Sequence, residues 1–129
     1  ANRATQTSVV VSHALDKATL DKIRALSPDD PESFVRQLVA AYRKGAIREW
    51  ARFDQGLAQG DESAIVGALH ALKSSCYNVG ALSLSEQCKQ IEALVRQDGQ
   101  APLAGRLAEL ISERGQVDAA LESLMQEAG

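Results

Sequence analysis

The 129-residue chain contains two histidines, and one of them, His70, stands among residues that could do chemistry with it. Lys73 follows three residues later, which on a helix is one turn away and brings its ammonium within reach of the imidazole. Gly67, Ala71 and Ser74 close by are small, and Tyr77 lies further along the same stretch. Free imidazole side chains titrate near about 6.5, so a nucleophilic ring nitrogen is present close to neutral pH. A neighbouring cation can offset the charge of an anionic group arriving on that nitrogen. Small neighbours let another protein close over the ring. The combination suits a carrier of phosphoryl groups, and lone histidines on ordinary solvated helices show parts of it too. His13, in the leading segment, is given no role.

For this chemistry a helix must present His70 to solvent. Counting ~100° per residue from Ile65 places Leu69, Leu72, Cys76 and Val79 within about 40° of it, which defines a buried stripe. His70 falls at about 140°, on the far side. Ser63, Gly67 and Ser74 share that far face, and Tyr77 sits about two turns beyond His70 on it. Asp61 and Glu62 suit the positive end of this helix, and Gly80 suits its termination.

The rest of the chain supplies the supports. A short helix spans roughly Asp16 to Leu26, started by Asp16 as N-cap and ended by Ser27-Pro28-Asp29-Asp30-Pro31. Asp30 caps a long second helix with Pro31 in its first position. Phe34, Leu38, Tyr42, Ala46, Trp50, Phe53 and Leu57 form its apolar pattern to about Gln59, interrupted by Gly45 and Gly56. After the His70 helix, Ser83-Leu84-Ser85-Glu86 reads as a capping box opening a helix that carries Leu84, Cys88, Ile91 and Val95 and closes at Asp98-Gly99. Pro102 begins the last helix, with Leu103, Leu107, Leu110, Val117, Leu121 and Leu124 on one stripe. These elements predict an all-α fold: an antiparallel up-and-down four-helix bundle with a short additional N-terminal helix. Residues 1–14 read as a linker and 15–129 as the domain.

Composition narrows the function. Aromatics make up 4% of the chain and the net charge is -3, so the electrostatic footprint of a nucleic-acid binder is missing. No apolar run approaches the ~18 residues needed to span a bilayer. Cys76 and Cys88 form neither a disulfide framework nor a CxxC metal pair, and both fall on buried stripes. No Gly-rich phosphate loop with its lysine stands out, nor a Ser-His-Asp arrangement. A cytoplasmic, monomeric domain with no cofactor of its own is expected. The start at Ala1 and the small, polar leading residues suggest a module of a longer protein.

The run His70-Ala71-Leu72-Lys73-Ser74-Ser75-Cys76-Tyr77-Asn78-Val79-Gly80-Ala81 resembles the signature of histidine phosphotransfer domains. Upstream Leu57-Ala58-Gln59-Gly60-Asp61, and downstream Leu84-Ser85-Glu86-Gln87-Cys88 with Ile91-Glu92, extend the resemblance. It implies a four-helix bundle in which His70 accepts a phosphoryl group at Nε2 and Lys73 supports it electrostatically. Ser74 stands where the family often has Gly; a serine there could bond the ring or point to water. Gly67, Ala71, Ser74 and Tyr77 are the expected contacts for response-regulator receiver domains. The receiver would supply Mg²⁺, and the chain would be a carrier without autonomous catalytic activity, placed at the C-terminus of a hybrid sensor kinase. A module that docks on a signalling partner without phosphorylation is the competing reading.

Overall fold

The computed structural model describes residues 14–127. His13 and the expected linker up to residue 13 lie outside them. Among the described residues there are five α-helices and no strand: α1 (Lys17–Ala25), α2 (Pro31–Gln59), α3 (Glu62–Asn78), α4 (Leu82–Asp98) and α5 (Leu107–Glu127). Each packs against its neighbour in sequence, and α5 returns to α2, which closes the four long helices into a bundle. None of these helices is long and apolar enough to cross a membrane.

The helix starts follow the acidic caps. Asp16 accepts from the Thr19 amide at 3.0 Å, Asp30 from Ser33 at 3.2 Å and Asp61 from Ala64 at 3.1 Å. Each satisfies one of the orphan donors of a first turn. Hydrogen bonds from the Thr19 hydroxyl and amide hold the Asp16 carboxyl below the usual carboxylate range.

At the other end of α3, the Gly80 amide bonds the Tyr77 carbonyl at 3.1 Å and the Ala81 amide bonds the Cys76 carbonyl at 2.9 Å. This is a Schellman turn, and Gly80 meets its left-handed requirement with φ 84°. The turn delivers the chain directly into α4 at Leu82. The capping box expected at Ser83 therefore does not form: the helix starts earlier, at an Ala81 N-cap with no side-chain bond. Ser85 instead donates its hydroxyl to the Lys73 carbonyl at 2.6 Å, tying α4 to α3. The start of the last helix also differs. Ala101–Gly105 is a 3₁₀ turn, and the α-helix begins at Leu107. Gly105 costs about 1 kcal/mol inside an α-helix, which favours leaving it in the connecting turn.

The core runs the length of the bundle. Ile65, Leu69, Leu72, Cys76 and Val79 are all buried, as the periodicity requires, and so are Cys88 and Val117 on the facing helices. Along α2 the buried stripe is Val35, Val39, Tyr42, Ala46, Trp50, Phe53 and Gly56. Phe34, Leu38 and Leu57, expected on it, flank it half-buried. Trp50 and Phe53 meet edge to face at 5.6 Å between centroids, and the Arg114 guanidinium covers the indole at 4.5 Å.

Gly56 has a packing reason that periodicity alone hides. A Cβ there would meet Ile65 Cγ1 at 2.9 Å, the Asp61 carbonyl at 3.1 Å and the Ile65 amide at 3.2 Å. The glycine is what lets α2 and α3 close at their shared turn. Gly56→Ala should lower the unfolding free energy by about 1–2 kcal/mol, the overpacking cost exceeding the helix-propensity gain. Urea denaturation tests this; a stabilised variant would show that the turn relaxes freely.

Candidate functional site

His70 lies on the outer face of α3 with 62% of its side chain exposed, and its position is fixed by a residue on the next helix. Glu92 of α4 is buried, at 5% exposure, and its carboxylate gathers the polar groups of the site. His70 Nδ1 lies 3.0 Å from Glu92 Oε2, and Lys73 Nζ lies 3.1 Å from Oε1. Arg96, one turn further along α4, reaches Oε2 through Nε at 3.1 Å and Nη2 at 2.9 Å.

Burial pushes the Glu92 carboxyl up, but the hydrogen bonds from Arg96, Lys73 and His70 outweigh it and hold the group below the ordinary carboxylate range. Glu92 is therefore ionised and can only accept. A carboxylate facing Nδ1 requires the proton to sit on Nδ1, which leaves the lone pair on Nε2. That nitrogen lies across the ring from the Glu92 contact, in a side chain that is mostly exposed. The arrangement gives a surface histidine a defined tautomer, with one ring nitrogen chemically able to act as a nucleophile.

The depressed carboxyl also carries a stability consequence. Its contribution is fully present above the unfolded glutamate value of about 4.3 and is lost as pH falls through the lower folded value. Denaturation measured from about pH 6 down to pH 3 should show the wild type losing stability faster than Glu92→Gln across that window. Parallel curves would mean that the network contributes nothing in acid.

The residues singled out by the sequence fall into place unevenly. His70 and Lys73 are brought together, but through Glu92, so the resting lysine is tethered and not free. Ser74 and Tyr77 are exposed, Tyr77 at 63%, and with Lys73, Asn78 and Ser85 they line a shallow cavity of about 230 Å³. Ala71 is half-buried. Gly67 is not the bare surface its size suggested, because the guanidinium of Arg52 from α2 lies over it. Glu92 is the residue that sequence reasoning left without a role; its one signal was a carboxylate at the edge of the apolar stripe of α4. Arg52 gave no signal, since nothing in the sequence places α2 beside Gly67.

Cys76 and Cys88 are free and buried, with the Tyr42 hydroxyl 3.5 Å from Cys76 Sγ. Among the described residues no group of three or more His, Cys, Asp or Glu is placed to hold a metal ion.

Comparison with known proteins gives one positive finding. The family model described as Hpt domain matches residues 37–127, which includes His70, Lys73 and Glu92 and all of α3, α4 and α5. Neither the curated proteins nor the solved structures yield a match.

Proposed function

Because the chain belongs to the Hpt domain family, we propose that His70 accepts a phosphoryl group from the phosphoaspartate of a receiver domain and passes it to a second receiver. The observation that carries this reading is the Nδ1 contact with a buried, ionised Glu92, which leaves Nε2 as the outward nucleophile.

The chain's part in the reaction follows from that geometry. The Nε2 lone pair attacks phosphorus, the P–O bond to the donor aspartate breaks, and the aspartate leaves as its carboxylate. With the proton still on Nδ1, the phosphorylated ring is cationic, and Glu92 faces that charge at hydrogen-bond distance. This resembles the work of the buried carboxylate in a Ser-His-Asp triad, which holds the tautomer and stabilises the imidazolium without taking the proton. Lys73, tethered at 3.1 Å to Glu92, is the ammonium that can turn toward the phosphoryl oxygens. Passing the group on reverses the same steps. The divalent cation belongs to the receiver, so the chain is a carrier that depends on its partners for most of the transition-state stabilisation.

The test is transfer from purified receivers charged with labelled phosphate. Label on the chain that is lost in acid and kept in alkali identifies a phosphoramidate and supports the relay. A receiver that binds the chain and donates nothing favours the docking module.

A further inference from the structure

The chain has a net charge of -3, yet several cations gather near His70. Lys73 and Arg96 border Glu92, and Lys89 shares their stripe of α4 by its spacing from Ser85, Glu92 and Arg96. A further cation comes from α2. If Gly67 had a Cβ, it would lie 2.5 Å from Arg52 Nη2, 2.8 Å from Cζ and 2.9 Å from Nη1. The guanidinium thus fills the notch that the missing side chain leaves. Gly67 precedes His70 by three residues, and side chains at that spacing are neighbours about 5–6 Å apart. Arg52 is therefore held about one turn from the imidazole, on the same face.

Its pairing is loose. Glu49 Oε2 lies 3.7 Å away, and 48% of the Arg52 side chain is exposed. Arg52 and Arg96 both line an open cavity of about 430 Å³ together with Ser63, Val66, Gly67 and Glu62. Both guanidiniums thus border a space one turn to the N-terminal side of the proposed phosphoacceptor; Arg96 holds Glu92 through Nε and Nη2 and has Nη1 left for a ligand, whereas Arg52 has its fork open.

We infer that Arg52, with Arg96, is a docking contact for a carboxylate of the receiver domain, seated one turn to the N-terminal side of His70, and that it selects among receivers. This rests on the phosphotransfer reading for the identity of the partner. The argument is charge complementarity: the donor presents an aspartyl phosphate and the carboxylates that hold its divalent cation, so the surface meeting His70 is acidic. A guanidinium fork recognises a carboxylate in two parallel hydrogen bonds, and the Gly67 notch fixes the direction from which it does so. Arg52 acts on the partner's surface and not on the reacting phosphorus. Its loss should appear in affinity and KM, with kcat largely kept.

The experiment measures both binding and transfer for the intact chain with a panel of purified receiver domains, alongside Arg52→Ala and Arg52→Glu. For the receiver that binds wild type most tightly, Arg52→Glu should raise Kd and KM by about tenfold or more and change kcat by less than about threefold. Arg52→Ala should fall between, with a Kd less sensitive to salt over about 50–300 mM. An unchanged Kd in Arg52→Glu overturns the inference whether or not phosphoryl transfer occurs. Binding without transfer by the wild type overturns the phosphotransfer reading alone, and the Kd comparison still decides the role of Arg52. If no receiver binds the wild type, both fall.

Discussion

A His70→Gln protein should fold as the wild type does and take up no phosphoryl group from any receiver that charges the parent chain. The exposed ring explains the first half: its removal opens no cavity, and surface substitutions of this kind shift stability by about 0.5 kcal/mol or less. The second half follows from the absence of a substitute. An amide nitrogen has no available lone pair, and the other histidine, His13, lies far along the sequence from the network that fixes a tautomer. Losing the nucleophile of a covalent step removes the pathway, so labelling should drop by at least about 10³-fold. Thermal unfolding checks the fold and gel autoradiography checks the label. Residual labelling at more than a few per cent of the wild-type rate would place the acceptor elsewhere.

The second large effect is expected at a residue that never touches phosphorus. Glu92→Gln keeps the size of the side chain but offers one carbonyl to three donors, and its amide can donate to Nδ1. Donation there favours the opposite tautomer, with the proton on Nε2 and no lone pair facing the donor. Where a buried serine-protease histidine loses its carboxylate partner, the cost in kcat reaches about 10⁴. The His70 ring is more exposed and can reorient in water, so a fall of about 10- to 100-fold in transfer rate is expected. Receiver affinity should not fall, since the substitution removes a negative charge and loosens the hold on Lys73 and Arg96, which separates this effect from that of Arg52. Glu92→Asp should recover little, because the shorter side chain cannot span the distance between α4 and the ring. Stopped transfer reactions at saturating receiver measure the difference, and a wild-type rate in Glu92→Gln would remove the tautomer argument.

How much of this could be read from residues alone differs from one feature to the next. The exposure of His70 and the burial of Leu69, Leu72 and Cys76 follow from a period of 3.6, and the structure agrees. The acidic caps at Asp16, Asp30 and Asp61 were equally legible, since each is a local interaction between residues three apart. Ser83 misled because a capping box is a local rule, and the Schellman turn at Gly80 had already committed the chain to helix. Glu92 and Arg52 were silent for a different reason. Their roles depend on which helix face meets α3, and that is decided by the packing of the whole bundle. Periodicity ranks positions around one axis; it does not say what stands opposite.

The network around Glu92 has one more consequence. His70 and Glu92 are 22 residues apart, and Lys73 and Glu92 only 19, on two helices joined by the Schellman turn at Gly80. Chain closure over such a span is entropically cheap, each doubling of loop length adding only about 0.6 kcal/mol. Helical domains dominated by such near-neighbour contacts fold on the microsecond to millisecond scale. The proposed nucleophile and the carboxylate facing it therefore belong to one helical hairpin. In a nascent or refolding chain, their meeting does not have to wait for the distant ends of the bundle to find each other.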